Sequence, residues 1–172
     1  KTGRYKCGRC GAASKKGHVC KLDDRGDNLT TLSIIAVGAD HAGFNLKGEI
    51  VRWLESEGHL VNDVGAHELD PDDDYPDYSA AVARVIQSGD AERGIIICGS
   101  GVGASITANK VTGIRACLCH DTYSARQGVE HDDMNVICIG GRIIGIELAK
   151  AVLDAFLDAN FLPEPRFQRR LD

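Results

Sequence analysis

The chain has 172 residues, 43% of them apolar, and a formal charge of −5. This is enough apolar content for one packed domain and excludes a disordered polymer, and no apolar run approaches the roughly 20 residues that a membrane helix needs. Residues 1–21 carry seven basic residues and no acid, so the remainder is strongly acidic, which argues against nucleic acid as a partner.

In chain order, residues 1–30 come first. They are rich in Gly, Lys and Ser, show neither helical nor strand periodicity, and end in the polar run Asp23–Asn28. We read them as a basic extension separate from a body of residues 31–172. The extension contains Cys7-x2-Cys10-x7-His18-x-Cys20. Three thiols and an imidazole can make a tetrahedral zinc site, although the histidine is displaced from its place in a zinc knuckle; a tail without fixed structure is the competing reading.

From residue 33 the character changes. Ser33–Gly38 is a short continuous apolar run, as expected of a strand buried on both faces. Leu46, Ile50, Trp53 and Leu54 then recur at helical spacing, and Gly58 ends the helix. The alternation repeats. Strands are expected at His59–Val64, Gly94–Cys98, Ile114–Cys119 and Asn135–Ile139. Helices are expected at Ala80–Ile86, after the glycine-rich turn at 99–103, near Thr122–Gln127 and at Ile146–Leu157. The acidic stretch Leu69–Tyr78 lacks the ligand spacing of a calcium loop and reads as a solvated loop, with Tyr75 turned toward the site. Strand–helix alternation predicts an α/β fold, a Rossmann-like three-layer sandwich around a five-stranded parallel sheet. Ligands of such sheets bind beyond the carboxyl ends of the strands. That rim would carry Asp40-His41, Cys98–Gly103 and His120-Asp121.

The densest chemistry lies in Ile97-Cys98-Gly99-Ser100-Gly101-Val102-Gly103. A buried strand runs into alternating glycines and then into a helix, so consecutive amides can face an anion. The spacing is not that of the dinucleotide fingerprint, which counts against a nucleotide-binding module. A thiol at a helix start favours the thiolate, so Cys98 is a candidate base, while Cys117, Cys119 and Cys138 read as core cysteines. Asp40-His41 is either a helix cap with a neighbouring exposed histidine or part of the site. Glu130-His131-Asp132-Asp133 is either a polar loop or the place of a proton donor working near neutral pH. Arg166, Arg169 and Arg170 form a terminal basic cluster in an acidic body.

Taken together, Gly38-Ala39-Asp40-His41-Ala42-Gly43, Tyr75-Pro76-Asp77-Tyr78, Ile97–Gly103, Ala108-Asn109-Lys110, Gly113-Ile114-Arg115-Ala116, His131, Asn135-Val136 and Gly140-Gly141-Arg142 resemble the ribose-5-phosphate isomerase B family, which includes galactose-6-phosphate isomerase subunits. The match covers about residues 33–170. The resemblance implies a sugar-phosphate substrate, a homodimer with sites between subunits, and no cofactor or metal in the isomerase domain. It implies Cys98 as the general base, because the position where some relatives carry a catalytic glutamate is Ala104 here. It implies His131, with Ser100 and Asp40 nearby, as the group that opens the furanose ring, and the amides of Gly99, Gly101, Val102 and Gly103 as the holders of the enediolate. His41, Tyr75, Asp132, Arg142, Arg166 and Arg170 would contact sugar or phosphate. Two departures stand out: Asp132 replaces a frequent asparagine, and Glu164-Pro165-Arg166-Phe167 replaces a Gly-Gly-Arg-His pattern. The expected reaction is ribose 5-phosphate to ribulose 5-phosphate, in the cytoplasm, where thiols stay reduced. Its rivals are an isomerase of hexose or tetrose phosphates and a non-catalytic dimeric scaffold with a zinc-binding head.

Overall fold

The computed structural model describes residues 34–172 continuously and, before them, four short strands. These are β1 (Tyr5–Lys6) paired antiparallel with β2 (Ala13–Ser14), and β3 (Val19–Leu22) paired antiparallel with β4 (Leu29–Leu32). Strand pairing here was not expected from composition, and β4 crosses the boundary drawn at residue 30. Cys7, Cys10 and His18 of the zinc reading, and the side chain of Cys20, lie outside the described residues.

The body alternates as its sequence demands. Its strands are β5 (Ile34–Ala39), β6 (Leu60–Asp63), β7 (Arg93–Cys98), β8 (Ala116–Leu118) and β9 (Val136–Gly140). Its helices are α1 (Phe44–Ser56), α2 (Tyr75–Ser88), α3 (Val102–Ala108), α4 (Thr122–Asp132), α5 (Ile146–Asp158) and α6 (Pro165–Leu171). The five strands form one parallel sheet in the order β6-β5-β7-β9-β8. The three central strands are buried along nearly their whole length, which is why they read as continuous apolar runs.

Two cores result, one on each side of the sheet. Ile35, Val37, Ile95, Ile97, Ile137 and Ile139 meet α1, α4 and α5 through residues such as Ile50, Val129 and Phe156. Ala36, Ile96, Cys98 and Cys138 face α2 and α3 through Val82, Ala83, Ala104 and Ala108. This is the three-layer α/β sandwich expected. The strand order reverses direction between β5 and β7, and such a switch point opens a crevice at the strands' carboxyl ends.

Two helices extend beyond their sequence-based limits, and a third was not expected. Helix α2 begins at Tyr75, so Tyr75–Tyr78 is its first turn and not loop: Asp74 stands at its N-cap, and Pro76 occupies an early position where a missing N–H is harmless. Helix α4 continues to Asp132, so His131 and Asp132 lie in its last turn instead of a polar loop. Helix α6, led by Pro165, gives the terminal basic cluster a fixed frame. Among the described residues, no helix is long and apolar enough to cross a membrane.

Candidate active site

Three loops interlock at the switch point. After β7, the chain turns at Gly101, whose backbone is left-handed (φ 83°) and where a Cβ would collide with Leu118. That turn brings the Gly101 N–H back to the Sγ of Cys98, to which it donates at 3.1 Å. Gly141 N–H donates to the Cys98 carbonyl at 2.8 Å, and Arg142 N–H to the Gly99 carbonyl at 3.1 Å, so the loop after β9 is stitched to the one after β7. Asp40 N–H reaches the Ile97 carbonyl at 3.3 Å, which ties in the loop after β5. Cys98 is 4% exposed, whereas Ser100 and Val102 are open. The sulfur therefore sits under the loop turn with the Gly101 amide on it and is screened from bulk water.

Asp40 is buried, and one of its oxygens accepts from the amides of both Ala42 and Gly43 at 3.0 Å. It closes the turn before α1 but is not the helix cap that the sequence offered: Gly43 stands at the N-cap, with no side-chain capping bond there. Beside it, the Nδ1 of His41 lies 2.7 Å from an oxygen of Asp73, which also accepts the His41 backbone N–H at 2.9 Å. That hydrogen bond, with the charges of Asp40 and Asp73, raises the imidazole above its ordinary pKa against the opposing effects of burial and Arg142. Asp73 lies in the acidic stretch taken for a solvated loop, yet its side chain is only 6% exposed. The side chain of Arg142 lies against Gly99. Gly103 leaves the space that the Tyr75 ring fills: a Cβ there would come within 2.5 Å of it. Tyr75 thus lies on the glycine loop, and α2 reaches the rim through its first turn. His120, also at the rim, is structural: its Nε2 accepts the Gly140 N–H at 2.9 Å. Asp121 caps α4 by accepting the Ser124 N–H at 2.7 Å.

The cysteines divide. Cys119 and Cys138 are buried as expected, and burial pushes the Cys138 thiol up. Cys117 is a correction. It lies on the edge strand β8, is exposed, and its hydrogen bond with Cys119 brings its thiol down to about 6. Strand β8 is only partly covered, and Cys117 lines an open cleft beside α4, so the apolar look of the strand misled.

The remaining site candidates form a second group. The His131 ring stacks on Phe167, with centroids 4.1 Å apart and planes at 16°. Its Nδ1 meets the Gln127 amide at 2.9 Å, one turn earlier on α4. The guanidinium carbons of Arg166 and Arg170 lie 4.4 and 5.7 Å from the Phe167 ring centre. Phe167 itself is 1% exposed. A cleft of about 520 Å³ opens alongside, lined by Asn109, Arg115, Cys117, Gln127, Asp132 and Arg170 among others. Gln127 and Phe167 were not singled out from sequence. The Gln127–His131 spacing of four would have found the first had the helix been extended that far.

The two groups do not meet within one chain. Helix α4 starts at the rim and runs back to the opposite edge of the sheet. There Arg93, at the start of β7, donates to the Met134 carbonyl at 2.6 Å, and Arg115, just before β8, donates to Asn135 at 2.9 Å. Cys98 is at the other end of β7. Six residues of strand and eleven of helix each span about 16 Å. Cys98, Ser100, Asp40, His41, Tyr75 and Arg142 therefore occupy one end of the molecule, and His131, Asp132, Arg166 and Arg170 the other. Among the described residues, no group of three His, Cys, Asp or Glu side chains is placed to hold a metal ion.

Comparison with known proteins identifies the family. The model of the Ribose/Galactose Isomerase family matches residues 35–172. Ribose-5-phosphate isomerase B of Escherichia coli is 46% identical over 138 residues, covering 80% of this chain and 91% of the bacterial protein. D-erythrulose-4-phosphate isomerase of Pectobacterium atrosepticum is 45% identical over 127 residues, covering 74% and 84%. Among solved structures, ribose-5-phosphate isomerase B of Clostridium thermocellum superposes with a TM-score of 0.77 at 44% identity, over 80% of this chain and 92% of that one. With a parallel sheet, a thiol at its switch point and a family match across the body, the chain belongs to the ribose/galactose isomerase family, whose members are aldose–ketose isomerases of sugar phosphates.

Proposed function

We propose that the chain interconverts ribose 5-phosphate and ribulose 5-phosphate, with Cys98 as the carbon base and with each complete site built from two copies of the chain. The observation that carries this reading is the Cys98 sulfur at the tip of β7, buried and receiving the Gly101 amide at 3.1 Å from the glycine loop. A base there can take a proton from the carbon beside a carbonyl. Charge then builds on the carbonyl oxygen, where fixed N–H donors stabilise it; one such donor is worth roughly 10²–10³ in rate.

The base alone is not sufficient. A pentose phosphate is mostly a closed furanose, with no acidic C–H beside a carbonyl. His131 is suited to protonate the ring oxygen as its bond to C1 breaks and the C1 hydroxyl gives its proton to solvent: its ring is fixed by Phe167 and Gln127, leaving Nε2 for the substrate. Arg166 and Arg170 beside it are suited to hold a phosphate. Since one chain keeps these groups at the far end from Cys98, a second copy must bring its own His131 group to the first copy's rim. Exposed Val102 and Ile106, one turn apart on α3 next to the loop, offer apolar surface for that copy. Once the ring is open, the Cys98 thiolate removes the proton from C2 of the aldose, a proton passes from O2 to O1 of the enediolate, and the thiol returns its proton to C1, leaving the carbonyl at C2.

The test is a coupled assay for ribose 5-phosphate and ribulose 5-phosphate, run beside erythrose and hexose phosphates. The highest kcat/KM is expected on the pentose pair. The close likeness to D-erythrulose-4-phosphate isomerase supports the tetrose phosphate as the second reading, and a tetrose preference in this panel would replace the first. No turnover on any sugar phosphate would refute both.

A further inference from the structure

We propose that Asp73 is a positioning residue of the site: it fixes the His41 ring through both Nδ1 and the backbone N–H, so that Nε2 points from the rim at an oxygen of the substrate. The inference deepens the isomerase reading and rests on it for the identity of the substrate.

The geometry is specific. One oxygen of Asp73 takes both the Nδ1 of His41, at 2.7 Å, and the His41 backbone N–H, at 2.9 Å. Two bonds to one acceptor fix the ring relative to its own backbone, and Nδ1 must carry a proton to make its bond. Nε2 is left on the open edge of a side chain that is 31% exposed. Asp73 is the buried partner at 6%. Its other oxygen is buried without a well-aligned hydrogen bond, with the Tyr78 hydroxyl nearby, so a cation at His41 is what compensates the carboxylate. The Asp73 loop is in turn anchored at the start of α2, whose Tyr75 lies on Gly103. Asp73 thus couples the loop after β5 to the element that covers the glycine loop.

The charged groups around the ring are Asp40 on its own loop, Asp73 before α2 and Arg142 after β9. Two anions face one cation, and the net effect raises His41. Burial pushes Asp73 up, but the N–H, the ring and the charge of His41, with the Tyr78 hydroxyl, bring it below its ordinary value. For stability, a raised histidine contributes fully below its unfolded pKa, near 6.5, and the contribution is lost as pH rises through the folded value. The lowered carboxylate contributes above about 4 and loses it as pH falls. The pair therefore stabilises the fold most between about pH 4 and 6.5.

The experiment is an NMR titration of His41 in the substrate-free protein, wild type beside Asp73→Asn and Asp73→Glu. Asp73→Asn keeps the shape and an acceptor but removes the charge; it should lower the His41 pKa by about one unit, and Asp73→Glu should restore part of that. In isomerase assays the alkaline limb of kcat/KM should move down by the same amount, with KM rising more than kcat falls. Should Asp73→Asn not fold, the wild-type ¹⁵N spectrum still decides: above its pKa His41 must be the Nδ1–H tautomer, and an Nε2–H tautomer would overturn the proposal. An unchanged His41 pKa in folded Asp73→Asn would overturn it as well. Absence of sugar-phosphate turnover in the wild type would instead remove the substrate assignment, while leaving the titration result to stand or fall by itself.

Discussion

The two ends of the sheet hold site residues in contrasting ways. At the carboxyl end, chemistry is carried by backbone: glycine turns, amides stitched between loops, and a sulfur almost closed to water. At the opposite end it is carried by long side chains arranged around one buried aromatic ring, Phe167, on two short helices. The first arrangement suits a carbon base and an oxyanion, which need fixed dipoles and a dry setting. The second suits a proton donor and a phosphate clamp, which need charge and reach. On the proposed reading neither end is sufficient by itself for an isomerase of cyclic sugars, which is why that reading places each site between two copies of the chain.

The comparison can be broken at either end. The largest effect is expected at the sulfur. Cys98→Ala should lower kcat by roughly 10³-fold or more while leaving binding of a sugar phosphate nearly intact, since a carbon base has no substitute there. A calorimetric titration beside the rate assay separates the two. Near-normal turnover would take Cys98 out of the mechanism.

Next comes the proton donor. His131→Ala should cost roughly 10²-fold on ribose 5-phosphate, and far less on erythrose 4-phosphate, which cannot close a furanose ring. Equal losses on both would assign His131 a role other than ring opening. Smaller again is the clamp. Arg170→Ala should raise KM by roughly tenfold with kcat changed less, as expected for loss of one charge-assisted bond. An effect confined to kcat would place Arg170 with the reacting atoms instead of the phosphate.

The sheet was legible from sequence because strands buried on both faces are written as apolar runs, and β5, β7 and β9 are of that kind. The candidate rim was legible for a related reason: Asp40, His41 and Cys98–Gly103 follow directly on those strands. The polar elements were harder. The start of α2 hides in an acidic stretch whose charge suggests solvent, although Asp74 followed by Pro76 is the pattern of a helix start. Asp73, in the same stretch, is buried only because His41 comes to it from 32 residues away, and no local pattern encodes that. The separation of His131 from Cys98 is likewise a matter of which way α4 runs, which spacing along the chain does not express.

The central claim is that one working site takes residues from two copies, and mixing two inactive variants tests it directly. Cys98→Ala and His131→Ala proteins, unfolded and refolded together, should regain up to about a quarter of wild-type turnover on ribose 5-phosphate, since half of the dimers are mixed and each has one intact site. Activity that stays at the level of the separate variants, in a mixture shown to contain mixed dimers, would contradict the account.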